Sequence, residues 1–177
     1  MAAAQVRRAG AGDAPLLAEV AAATFALACP PHMSRERIDH FIATVLSEER
    51  FTAYLEDDDR DLFLAELDDA PIGYAMLVAG EPTDPDVQQS ISLRPTAELS
   101  KIYVLPGHHG SGASAALMAA AVDAARARGS AGVWLGVNQL NERAQRFYAK
   151  SGFGKVGTKR FLVGDRYEDD FVFERAL

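Results

Sequence analysis

The run HHGSGAS, His108 to Ser114, joins a β-branched apolar stretch ending at Val104 to an alanine-rich stretch with helical spacing from Ser111 to about Arg128. Glycine carries no Cβ, so main-chain N–H groups in such a run approach a ligand closely, and a helix starting there adds unpaired donors and the positive end of its dipole. That combination suits phosphate. His109, Gly110, Ser111, Gly112, Ala113 and Ser114 are therefore candidate anion-binding positions, acting through the main chain because serines at a helix start cap the helix by default. The run is neither a Walker A loop, which needs Gly-Lys-Ser/Thr, nor the G-x-G-x-x-G dinucleotide pattern. A tight strand-to-helix turn with no ligand fits the run equally well. Elsewhere, the side chains of the adjacent His108 and His109 diverge in an extended loop, His32 and His40 lie far off in sequence, and Cys29 is the only cysteine. No metal site is expected.

The patterning supplies the strand and helix that must hold this run, and more around them. A short strand is predicted over Gln5–Arg8, then a helix to about Ala28 with Asp13 as N-cap and Pro15 in its first turn. CPP stops it. Ser34 caps a second helix carrying Ile38, Phe41, Ile42, Val45 and Leu46, and a third spans Ser47 to Glu56. DLFLAEL, the turn DDAP and IGYAMLVA form an antiparallel hairpin. Gly80 to Pro95 has three prolines and little periodicity, which reads as a surface loop and a candidate substrate lid. From Glu98 the order is strand, helix, strand (GVWLGV), helix (NERAQRFYAKS), then two strands, RFLVG and DDFVFERA, about the turn GDRY. Such a β-α-β unit implies locally parallel strands within a mixed sheet. We find no linker, so residues 1–177 are expected to form a single domain.

Composition excludes several classes. The chain is 49% hydrophobic and 24% charged, the balance of a globular protein. MAAAQVRRAG has no apolar core of signal-peptide length, and Leu17–Ala28 is interrupted by Glu19 and too short to span a bilayer. A cytoplasmic protein without a membrane partner is expected. Eighteen basic against 25 acidic residues give a net charge of −7, the wrong sign for binding nucleic acid by counterion release. Acidity instead favours a cationic ligand, and EDDDRD, Glu56 to Asp61, is the densest patch; a solvated helix end and turn accounts for it as well.

Taken in order, ELSKIYV, HHGSGAS and WLGVNQLNERAQRFYAKSGF resemble the GNAT superfamily of acyl-CoA N-acyltransferases, from about Ile72 to the C-terminus. The family's pyrophosphate loop, Q/R-x-x-G-x-G/A, falls on His109 to Ser114. Gly112 matches, His109 replaces Arg or Gln, and Ser114 replaces Gly or Ala. A second signature, Asn followed by a short helix ending in Phe-Tyr and then Gly-Phe, is met by Asn141, Ala144, Phe147, Tyr148, Gly152 and Phe153.

The resemblance implies an α/β fold: a GNAT-type mixed, mostly antiparallel sheet with a central β-α-β CoA-binding unit and flanking helices. It implies acetyl-CoA as cosubstrate, bound by Ile102, Tyr103, Val104, the His109–Ser114 loop, Asn141 and Arg146. A backbone N–H on a splayed strand, at Val104 or Tyr103, would bind the oxyanion, and Tyr148 would protonate the leaving thiolate. A lysine-like ammonium takes about 4 to 5 kcal/mol to deprotonate at pH 7, so a carboxylate is needed; Glu98, six residues before Val104, resembles the base of some members. A glutamate facing solvent is the plainer alternative. RFLVGDRYEDDFVFERAL and ELSKIYVLP look most like the bacterial polyamine (spermidine/spermine) branch. The expected activity is acetyl transfer to a primary amine, a polyamine or other small amine, by a monomer or homodimer. A protein N-terminus as acceptor, or a non-catalytic CoA sensor, are the alternatives.

Overall fold

In the computed structural model, which describes residues 3–163 and 165–177, strand β1 (Gln5–Arg8) leads into helices α1 (Ala14–Ala28), α2 (Arg35–Val45) and α3 (Glu48–Glu56). Ser34 and Ser47 cap α2 and α3, accepting from the N–H groups of Arg37 and Arg50 at 3.2 Å. Asp13 precedes α1 but does not cap it, because its carboxylate is taken by Arg7 at 2.8 Å and by the Gly10 N–H at 2.7 Å. Strands β2 (Arg60–Leu67) and β3 (Ala70–Ala79) form the expected hairpin. Its turn residues Asp68 and Asp69 have φ of 52° and 64°, the left-handed pair that a two-residue hairpin loop requires.

Beyond them come α4 (Pro85–Ser90), β4 (Thr96–Val104), α5 (Ala113–Ala127), β5 (Gly132–Asn138), α6 (Glu142–Lys150), β6 (Gly154–Val163) and β7 (Arg166–Ala176). Gly164, in the predicted GDRY turn, lies outside the described residues. One sheet runs β1-β2-β3-β4-β5-β7-β6, antiparallel except where β4 meets β5. Leu117, Ala121 and Ala125 of α5 bury one face with Ala75, Leu99 and Val133. Leu17, Phe25, Phe41 and Phe51 of α1–α3 cover Leu64, Tyr74 and Met76 on the other.

The acidic run Glu56–Asp61 is the expected helix end and turn, exposed from Glu56 to Asp59: α3 ends at Glu56, Asp57 pairs with Arg60 at 3.0 Å, and buried Asp61 is held by Arg8 and by Arg128 at 2.6 Å. One expectation changes. The segment Gly80–Pro95 is not an irregular lid. Its α4 seats Val87 and Ile91 on Trp134 and Val172, and the buried Glu174 carboxylate accepts from the N–H groups of Ser92 at 3.1 Å and Leu93 at 3.0 Å. None of these residues lines the main cleft. Six residues are too few for helical periodicity to show in sequence, and the anchoring glutamate lies some eighty positions away. Glu174→Ala leaves those two amides unpaired and is expected to lower unfolding free energy by about 2–3 kcal/mol in urea titrations.

Candidate functional site

Strand β4 runs nine residues, yet only Thr96, Ala97 and Glu98 pair with β5, opposite Gly132, Val133 and Trp134. From Leu99 and Leu135 onward the two strands part, β5 staying with β7 and β4 with β3. The result is a wedge with an unpaired main-chain edge. N–H groups alternate sides along an extended strand; Leu105 N–H bonds Ile72 O of the β3 segment at 2.7 Å, so the N–H groups of Val104 and Ile102 turn into the wedge. Of the two expected oxyanion donors, Val104 N–H therefore faces the wedge and Tyr103 N–H faces β3.

A β-bulge sets the side chains. Leu99 pairs with Leu77 and Lys101 with Met76, so Ser100 is an extra residue. After it, Ile102 and Val104 join the α5 face while Tyr103 joins the α1–α3 face. Glu98, Lys101 and Tyr103 thereby share the helix α1–α3 side, and Lys101 Nζ stands 5.4 Å from the centre of the Phe41 ring.

The wedge opens into a cleft of about 850 Å³ lined by β4 from Glu98 to Val104 except Leu99, by Gly136–Asn138, and by His109, Gly112, Ser114, Asn141 and Tyr148. Gly110, Ser111 and Ala113 shape the loop without lining it. Ser111 Oγ donates to His108 O and accepts from Ala113 N–H at 3.3 Å. Gly112 sits at φ 83°, a left-handed conformation that starts α5 and that side chains with a Cβ resist. Asn141 caps α6, accepting from Ala144 N–H at 3.1 Å, while also lining the cleft. Arg146 is exposed and does not line it; Arg143, one turn earlier, does. Helical spacing alone left that choice of face open.

Electrostatics divide the cleft. Burial lowers the His109 pKa, and Arg143 and His108 push the same way, so His109 is a neutral donor rather than a cation. Tyr148 packs against Phe147, Phe153 and Phe173 with ring centres 5.6, 6.1 and 6.4 Å away. Burial holds its phenol well above the usual value, so it keeps its proton. On the α1–α3 side, burial raises Glu98 above the ordinary carboxylate range, opposed by Lys101, Lys159 and Arg60. Asp170, buried on β7, is pushed up to about 6 by burial, against the pull of Lys159. Glu168 bonds His32 Nε2 at 2.7 Å. Lys159, Glu168 and Asp170 reach the cleft through strand register, which the sequence does not display.

The scan against family descriptions matches residues 24–153 to the acetyltransferase (GNAT) family. The chain belongs to that family. An uncharacterized N-acetyltransferase of Mycobacterium tuberculosis is 48% identical over 165 residues, 93% of this chain and 98% of the relative. The streptothricin acetyltransferase of Streptomyces lavendulae is 41% identical over 59 residues, 33% of this chain and 31% of that protein. Among solved structures, the PaiA N-acetyltransferase of Thermoplasma acidophilum in complex with coenzyme A superposes with a TM-score of 0.78 at 22% identity, covering 100% of both chains. At that identity the likeness shows the fold, the mixed and mostly antiparallel GNAT sheet.

As a GNAT acetyltransferase the chain uses acetyl-CoA, and its cleft fits that molecule. An unpaired strand edge suits the pantetheine amides, and a helix start opened by Gly112 suits a diphosphate. Gly136 bears on the same space: a Cβ there would lie 3.3 Å from Asp170 Oδ2 and from Lys159 Cδ. Gly136→Val is expected to raise the acceptor KM about tenfold, roughly 1.4 kcal/mol, in steady-state assays, with little change in melting temperature.

Proposed function

We propose that this acetyltransferase acetylates the primary amine of a small acceptor that enters between β4 and helices α1 and α2, with residues 1–177 forming one catalytic domain. The observation that carries the reading is the parted β4–β5 pair, which puts the Val104 amide, Tyr148 and Glu98 on one cleft. Acetyl-CoA supplies the activated acyl thioester. Val104 N–H donates to the carbonyl oxygen as charge grows on it, a fixed donor that needs no reorganisation. Glu98 takes the amine proton, directly or through water, and Tyr148 O–H donates to the departing sulfur. His109, Gly112, Ser114 and Asn141 hold the cosubstrate, with Arg143 restoring the positive charge that His109 does not provide.

Within this class the polyamine expectation has three cleft carboxylates in its favour and two cleft lysines against it. Incubating the protein with acetyl-CoA and a panel of amines, while following free thiol, tests the reading: release should depend on the acceptor. Binding of CoA without such release would favour a sensor, and preference for a peptide would favour a protein N-terminus. A reducing cytoplasm suits Cys29, which is the sole cysteine and whose thiol is pushed up to about 11 by burial, hence protonated.

A further inference from the structure

We infer that the acceptor is a small zwitterion, a primary amine that also bears a carboxylate or comparable anion, with the amine held at Glu98 and the anion on Lys101. This rests on the amine-acetylating reading above. The charged groups on the acceptor side are unequally engaged. Glu168 is committed to His32 at 2.7 Å, Asp170 has Lys159 at 4.0 Å, and Arg60 is bound to Asp57 at 3.0 Å. Among the described residues, Glu98 and Lys101 are the pair left over: neither makes a hydrogen bond, nor an ion pair within 4.0 Å, though each feels the other's charge.

Both side chains line the cleft from one face of one strand. Residues two apart on a strand face stand roughly 7 Å apart, and the bulge at Ser100 adds to this. Such a spacing lets a flexible glutamate and lysine grip opposite ends of a group a few bonds long. An ammonium withdrawn from water without a counterion is costly. Burial duly lowers the Lys101 pKa, and Lys159 and Arg60 push it the same way. An incoming anion offsets all three effects, as Glu98 does in part. A polyamine does the reverse, carrying further ammonium groups toward Lys101 and Lys159. Phe25, Met33 and Tyr103 add apolar and aromatic surface to the chamber, which suits a small side chain.

The test compares kcat/KM for alanine, methionine and phenylalanine with their carboxamides, a short peptide, putrescine and spermidine, in wild type and Lys101→Met. The free acids should exceed the carboxamides and polyamines by tenfold or more, and Lys101→Met should collapse that preference below threefold. Carboxamides, peptide or polyamines that match or exceed the acids overturn the inference, as does a preference that survives Lys101→Met. The wild-type comparison decides even if the variant fails to fold. Absence of thiol release with every amine, while CoA raises the melting temperature, instead removes the N-acetyltransferase reading and this inference with it.

Discussion

Tyr148→Phe is expected to lower kcat about a hundredfold, within the 10²–10⁴ range of general acid–base catalysis, while acetyl-CoA affinity changes less than threefold. The phenol lines the cleft amid three aromatic rings, and its burial keeps it protonated throughout the physiological range. Phenylalanine preserves that packing and removes only the hydroxyl that carries the proton. Single-turnover thiol release with calorimetric titration of acetyl-CoA separates the effects. Equal losses in kcat and cosubstrate affinity would make Tyr148 a wall of the cleft rather than an acid.

The second large effect concerns Glu98→Gln, for which kcat/KM is expected to fall about a hundredfold at pH 7. A general base works only when deprotonated, so wild-type activity should drop as pH falls through its pKa. Burial places that limb above the ordinary carboxylate range, and it should vanish in the variant. Asp170 is the rival, a second cleft carboxylate pushed up to about 6. If the limb persists near pH 6 in Glu98→Gln and disappears in Asp170→Asn, the base is Asp170.

The helices and hairpins were legible because their signals are local. Ser34 and Ser47 cap as their types demand, and the apolar run IGYAMLVA after the turn DDAP marks β3. The glycine loop, the Asn141 cap and Tyr148 were legible as motifs. What the sequence concealed depends on distant pairing. Lys159 and Asp170 meet through the β6–β7 register, and Asp170 faces Asn138 through the β5–β7 register. The choice of Arg143 over Arg146 required knowing which side of α6 meets the wedge. In the densest acidic run the helix end and turn were legible, but not that its last member, Asp61, is buried and held by arginines from β1 and the end of α5.

Ser100 carries a consequence beyond its own side chain. Were Ser100 to take an ordinary place in the ladder instead of bulging out of it, the parity of every position after it would invert relative to Glu98: Lys101 and Tyr103 would turn into the packed interior beneath α5, and Ile102 and Val104 would take their places. Leaving a single residue out of the pairing therefore separates, for this sequence, a sheet that is merely filled from one that offers a charged pair to a visiting molecule. Deleting Ser100 would instead leave Glu98 and Lys101 two ladder positions apart and still on one face, so it is the register of the pairing and not the number of residues that presents them together.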